Sequence, residues 1–105
     1  MEHYNMSRGT SFYAVGLSYK KADAKVRGHF SLNEDSKRAL LKQAKKNSIE
    51  SLIVTSTCNR TEIYGFAEHP FQLIQLLCEN TKGTVEEFQK VAYVFKNKDA
   101  ISHIF

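Results

Sequence analysis

The chain has 105 residues, enough for one small domain with a single modest core. Its 42% hydrophobic and 25% charged residues are ordinary for a soluble globular protein, and no apolar run approaches the roughly 20 residues that span a bilayer. A net charge of +4 tolerates a polyanionic partner such as RNA without predicting one.

Residues 1–10 are polar, lack the apolar centre of a secretory signal, and are expected as a flexible tail. Residues 11–18 (SFYAVGLS) carry apolar groups on both faces, which suits a central strand. Gly16 within it marks a close approach of other groups to the backbone. Residues 19–30 read as an irregular, solvated polar loop. Ser31-Leu32-Asn33-Glu34 has the spacing of a capping box, with a helix running on to about Lys46. Leu40, Leu41 and Ala44 fall on one side of that helix, and Lys37, Arg38, Lys42, Lys45 and Lys46 fall mostly elsewhere, as a solvated face does.

Residues 49–56 form the second predicted strand and, after a polar turn, residues 60–68 the third. Pro70 opens a second helix, where its missing N–H has no helical partner to lose. Phe71, Leu73, Ile74, Leu77 and Cys78 supply its buried side, and Gly83 lies beyond its end. Thr84 and Glu87 have the spacing to cap one further short turn. Residues 91–95 (VAYVF) are the fourth strand. Residues 97–105 begin a last helix, with Asn97 as N-cap, Asp99 in the first turn, and Ile101, Ile104 and Phe105 as its apolar side. A helix starting at the end of the sequence is what a fragment of a longer protein would show.

The order βαββαβ predicts an α+β, ferredoxin-like fold: a four-stranded antiparallel sheet with both helices on one face. That fold hosts many functions and decides none. Among the chemically able residues, Cys58 has two readings. Cysteine near a strand is commonly a small buried hydrophobe. Thr57, Asn59, Arg60 and Thr61 around it are polar, however, and a cysteine at a polar turn beside an arginine is placed to ionise and react. Cys78 reads as core filling. Two cysteines without metal spacing point to a reducing, cytoplasmic compartment. Arg60 is a surface charge or a fork for a carboxylate. Glu62 reads as a cross-strand partner. His103 reads as a helix residue at the edge of the core, while His29 and His69 border helices. The five glycines form no G-x-G-x-x-G, so no nucleotide loop is expected within the chain, and metal-site signatures are missing too.

The stretch Ser56-Thr57-Cys58-Asn59-Arg60-Thr61-Glu62-Ile63-Tyr64 closely resembles the glutamyl-tRNA reductases. Gly16-Leu17-Ser18-Tyr19-Lys20-Lys21-Ala22, followed by Arg27, is similar to an early motif of that family, and Asp99-Ala100-Ile101-Ser102-His103-Ile104-Phe105 to a later one. Asp23 stands where the family usually has proline, and Ala24 and Lys25 also depart from its pattern. The resemblance implies that residues 11–105 are the thioester-forming catalytic domain, without the NADP-binding and dimerisation domains. It implies Cys58 and His103 as catalytic residues, with Thr57, Cys58, Asn59 and Arg60 forming the glutamyl pocket. It implies NADPH bound by a domain outside this chain, glutamyl-tRNA(Glu) as substrate, a homodimeric full-length enzyme, and contact with the next enzyme, glutamate-1-semialdehyde aminomutase. The product would be glutamate-1-semialdehyde, the first step of five-carbon tetrapyrrole synthesis.

Two other classes fit the residues. One is a non-enzymatic ferredoxin-like module that binds RNA or a small ligand, with Phe12, Tyr13, Tyr64 and Phe66 as stacking groups. The other is a thiol hydrolase or acyltransferase that uses Cys58 with His103 and needs no nicotinamide.

Overall fold

The computed structural model describes residues 9–17, 20–49, 51–57 and 60–104, with the side chain of Ile104 excepted. Cys58, Asn59, Phe105 and all but the last two residues of the expected tail lie outside these ranges. Among the described residues the order is β1 (Ser11–Leu17), α1 (Ala24–His29), α2 (Glu34–Lys46), β2 (Leu52–Ser56), β3 (Thr61–Ala67), α3 (Pro70–Glu79), α4 (Val85–Val91), β4 (Ala92–Lys96) and α5 (Lys98–Ile104). The strands form one sheet in the order β2-β3-β1-β4, antiparallel at every junction. This is the expected ferredoxin-like sheet, with β1 and β3 at its centre.

Side chains alternate across a strand, and that alternation divides the molecule. Tyr13, Val15 and Leu17 of β1 and Ile63 and Ala67 of β3 enter the main core. There they meet Leu40 and Ala44 of α2, Leu73, Ile74, Leu76 and Leu77 of α3, Phe88 of α4, and Phe30. Phe30 and Phe88 pack edge to face with ring centres 5.4 Å apart. Each leucine or phenylalanine sealed there contributes about 1.5–3 kcal/mol. Gly83 is required beside Phe30, because a Cβ on it would lie 2.2 Å from the ring. Ala14 and Tyr64 point to the opposite face and pack with Ala100 of α5, flanked by Phe12 and Phe95. The two helices of the βαββαβ unit thus share one face, and α5 covers part of the other.

Several local expectations are corrected. The segment read as an irregular loop contains α1. Asp23, the residue in place of the family's proline, caps it: its Oδ1 accepts from the N–H of Val26 at 2.9 Å. Arg27 then ties the segment down by donating to the carbonyl of Ala22 at 2.8 Å. The cap of α2 is Asn33, accepting from Ser36, so the Ser31 capping box is not formed. Ser31 instead donates to the carbonyl of Gly28. Leu41 and Phe71 lie off the buried sides of their helices, Phe71 being 41% exposed. Cys78 is half-buried and packs against the main core, as expected.

Asn97 does more than start α5. Its backbone takes a left-handed φ of 53°, which asparagine tolerates better than most residues. Its N–H donates to the carbonyl of Phe12, and its Oδ1 accepts from the N–H of Phe12 at 3.0 Å. The residue therefore fastens the end of β4 to β1. Helix α5 is rotated from the expected face. Ala100 is fully buried, whereas Ile101 is 50% exposed. Ala100 and His103 are three residues apart and so share one side of the helix. That rotation turns His103 toward the sheet.

Candidate active site

The open face of the sheet is built in rows. Strand register aligns Thr55 with Glu62, Glu62 with Gly16, and Gly16 with Tyr93, one residue from each of the four strands. The next row is Ile53, Tyr64, Ala14 and Phe95. Gly16 sits between the two residues that matter most. A Cβ placed there would come 2.7 Å from Tyr93 Oη and 2.9 Å from Glu62 Cγ. Its missing side chain is what lets Glu62 and Tyr93 meet across the central strand, the close approach expected of a glycine in such a strand.

Glu62 is only 4% exposed and is the hub of the cluster. Tyr64 Oη donates to its Oε1 at 2.9 Å. Tyr93 Oη donates to its Oε2, and His103 Nε2 lies 2.8 Å from the same oxygen. Arg60 Nη1 stands 3.6 Å away. His103 Nε2 is also 3.2 Å from Tyr93 Oη. The imidazole is held among three aromatic rings, with centres 4.9 Å from Tyr93, 4.8 Å from Phe95 and 6.4 Å from Tyr64.

Burial pushes the Glu62 carboxyl toward its neutral form, because a charge is poorly solvated there. The hydrogen bonds from Tyr93, His103 and Tyr64 and the charge of Arg60 together outweigh burial and hold the group below its ordinary value of 4.5. Glu62 is thus an ionised acceptor at neutral pH. The phenols respond in the opposite sense. Burial first, and then the Glu62 carboxylate, push Tyr64 up to about 12 and also raise Tyr93. Both tyrosines remain donors.

Of the residues singled out in the sequence, His103 and Arg60 are brought to one carboxylate oxygen. Thr57 and Arg60 are paired through the backbone: the N–H of Thr57 donates to the carbonyl of Arg60 at 2.8 Å, and the N–H of Arg60 to Thr57 Oγ1 at 3.3 Å. Positions 58 and 59 fall between them in sequence, and the expectations for Cys58 and Asn59 rest on residues outside the described ones. Cys78 is not part of the cluster. Burial, with help from Glu79 and Glu87, pushes its thiol up to about 11, so it is a poor nucleophile near neutral pH.

Sequence reasoning missed the central roles of Glu62, Tyr64 and Tyr93. A signal was present: Glu62 interrupts a strand whose other residues suit burial, and a carboxylate in such a place needs partners. Of the four proposed stacking aromatics, Tyr13 lies in the main core and Tyr64 is engaged with Glu62. Phe12 and Phe66 remain as an adjacent pair, with ring centres 5.1 Å apart. Among the described residues no group of three or more His, Cys, Asp or Glu could hold a metal ion.

Fold and site together define a ferredoxin-like α+β domain whose open sheet face carries a buried carboxylate, an imidazole and two phenols in mutual contact. Residues 15–105 match the family model described as "Glutamyl-tRNAGlu reductase, N-terminal domain", and the chain belongs to that family. It is 72% identical over its whole length to a glutamyl-tRNA reductase of Christiangramia forsetii and 70% identical to one of Flavobacterium psychrophilum. In both cases it spans 25% of the relative's length. Its structure is similar to that of glutamyl-tRNA reductase from Methanopyrus kandleri, with a TM-score of 0.65 and 18% identity, covering 89% of this chain and 21% of that one. At that identity the likeness speaks for the fold.

Proposed function

We propose that this chain is the thioester-forming part of an enzyme that reduces glutamyl-tRNA(Glu) to glutamate-1-semialdehyde with NADPH, opening the five-carbon route to tetrapyrroles. One observation carries the reading. The three sequence blocks that resemble the reductases meet at one place: Gly16 comes from the first, Arg60, Glu62 and Tyr64 from the second, and His103 from the third.

In this reading the Cys58 thiolate attacks the ester carbonyl that joins glutamate to the tRNA. The C–S bond forms, the C–O bond to the ribose breaks, and the ribose oxygen takes up a proton. His103 takes the proton that the Cys58 thiol gives up as the thiolate forms, and returns it to the leaving ribose oxygen, the two-way exchange to which imidazole is suited. Arg60 grips the glutamyl carboxylate. Its guanidinium is half-exposed and engages Glu62 only at 3.6 Å, which leaves donors of its fork for a ligand. Thr57 and Asn59 complete the pocket.

The five glycines of the chain are scattered and form no G-x-G-x-x-G loop. Hydride supply is assigned to residues outside this chain. A cytoplasmic setting, a homodimeric enzyme and hand-over to glutamate-1-semialdehyde aminomutase belong to the same proposal. Among the described residues no helix is long and apolar enough to cross a membrane.

The test is capture of label. The protein is mixed with glutamyl-tRNA carrying labelled glutamate, and bound label released by hydroxylamine is counted. Wild type is expected to hold such label and Cys58→Ser to hold none. Undiminished label in Cys58→Ser, or none in folded wild type that binds the tRNA, overturns the proposal.

A further inference from the structure

The chemistry of Glu62 constrains His103 more tightly than proximity alone. A carboxylate has acceptor sites only. The nitrogen facing it at 2.8 Å must therefore bring the proton, and that nitrogen is Nε2. A neutral imidazole carries one proton, so Nδ1 is left with a bare lone pair. Tyr93 is consistent with this assignment. Its own proton goes to Glu62, which leaves its oxygen free to accept a share of the same Nε2–H at 3.2 Å. The opposite tautomer would set a bare Nε2 against an ionised carboxylate.

Glu62 itself is in no position to meet a substrate. It is 4% exposed, and both of its oxygens are taken, one by Tyr64 and the other by Tyr93, His103 and Arg60. Nothing among the described residues engages His103 Nδ1, and the ring is held in place by Tyr93, Phe95 and Tyr64.

We propose that Glu62 is a positioning residue that fixes the imidazole of His103 with its proton on Nε2 and presents Nδ1 as the base, with Tyr64 and Tyr93 locking Glu62 in its acceptor role. This rests on the reading that His103 handles the proton of thioester formation. The division of labour is that of a buried carboxylate behind a working histidine: the carboxylate sets tautomer and orientation and does no chemistry on the substrate.

The experiment is a long-range proton–nitrogen correlation of the histidine rings in the 15N-labelled 105-residue chain, at a pH where they are neutral. His103 is assigned as the ring signal that disappears in His103→Gln. Wild type is expected to show Nε2 protonated, Nδ1 bare, and an Nε2 proton that exchanges slowly enough to be seen. In Glu62→Gln the tautomer ratio is expected to move by at least about tenfold toward Nδ1–H, the scale of losing a hydrogen bond to a charged acceptor. Tyr93→Phe keeps the acceptor, so it is expected to keep the Nε2 proton while the Glu62 carboxyl titrates at higher pH. A wild-type proton on Nδ1, or a ratio unchanged in Glu62→Gln, overturns the proposal. The spectrum needs no catalysis, so the two ideas fail separately. Absent thioester with Nε2 protonated removes the function and leaves the positioning; intact thioester with Nδ1 protonated does the reverse.

Discussion

Gly16 and Glu62 show how little a residue type says until its neighbours are known. Glycine in a central strand normally weakens it, yet here it is the one residue that lets Glu62 and Tyr93 touch. Gly16→Ala is expected to force the pair apart and to cost about 1–3 kcal/mol, the usual scale for adding a methyl group to a filled site. Gly28→Ala is the control. A Cβ there meets nothing within 4 Å, and alanine suits a helix better, so stability is expected to rise by about 0.5–1 kcal/mol. Urea midpoints of the two variants check both signs. The site was partly legible beforehand. His103 and Arg60 stood out by type and spacing, and Gly16 by its place in an apolar strand. Glu62 was legible as a cross-strand partner, and Tyr93 of β4 is that partner, but its cluster with Tyr64, Tyr93 and His103 was not, because a cross-strand cluster depends on register, and register is not written in any one strand.

At the scale of the element, helix ends were the hardest features to read. α1 was missed although Asp23 caps it, because a six-residue helix has too few turns to show a period. α5 is legible as a helix but not in its orientation: Ile101 is the more apolar residue, yet Ala100 is small enough to lie against Ala14 and Tyr64. The sheet and the two longer helices were legible, because each follows a pattern sustained over a whole element. The end of α2 is a Schellman motif. Ile49 N–H donates to the carbonyl of Ala44 at 2.8 Å, and Ser48 N–H to that of Lys45 at 3.1 Å. Ser48 holds the left-handed position that glycine usually fills, with φ 65°. The residue is exposed, so Ser48→Gly is expected to raise stability by about 1 kcal/mol by removing the Cβ penalty. Thermal or urea unfolding measures it. The same change at Asn97 would gain no such benefit, because its side chain is bonded to Phe12.

Across the whole molecule, the buried cluster makes stability depend on pH at both ends. Glu62 gives up its proton more readily in the folded protein than in the unfolded chain. Its contribution is complete above the ordinary value of 4.5 and is lost as pH falls through the lower folded value. Tyr64 and Tyr93 keep their protons longer when folded. Their contribution is complete below the ordinary value of 10 and is lost as pH rises, through about 12 for Tyr64. The stability difference between wild type and Glu62→Gln is therefore expected to be greatest between 4.5 and 10 and to shrink on either side. Urea midpoints across pH check this; a difference that keeps growing toward acid or alkali would contradict it.

The pleat of β3 has one more consequence. Ile63 belongs to the main core, while Glu62 and Tyr64 on either side of it belong to the open face. Inserting or deleting a single residue near its start would exchange the two sets, sending a carboxylate into oil and an isoleucine toward the imidazole. The protein has no graded way to lose this strand: one such slip removes the core's foundation and the polar cluster together.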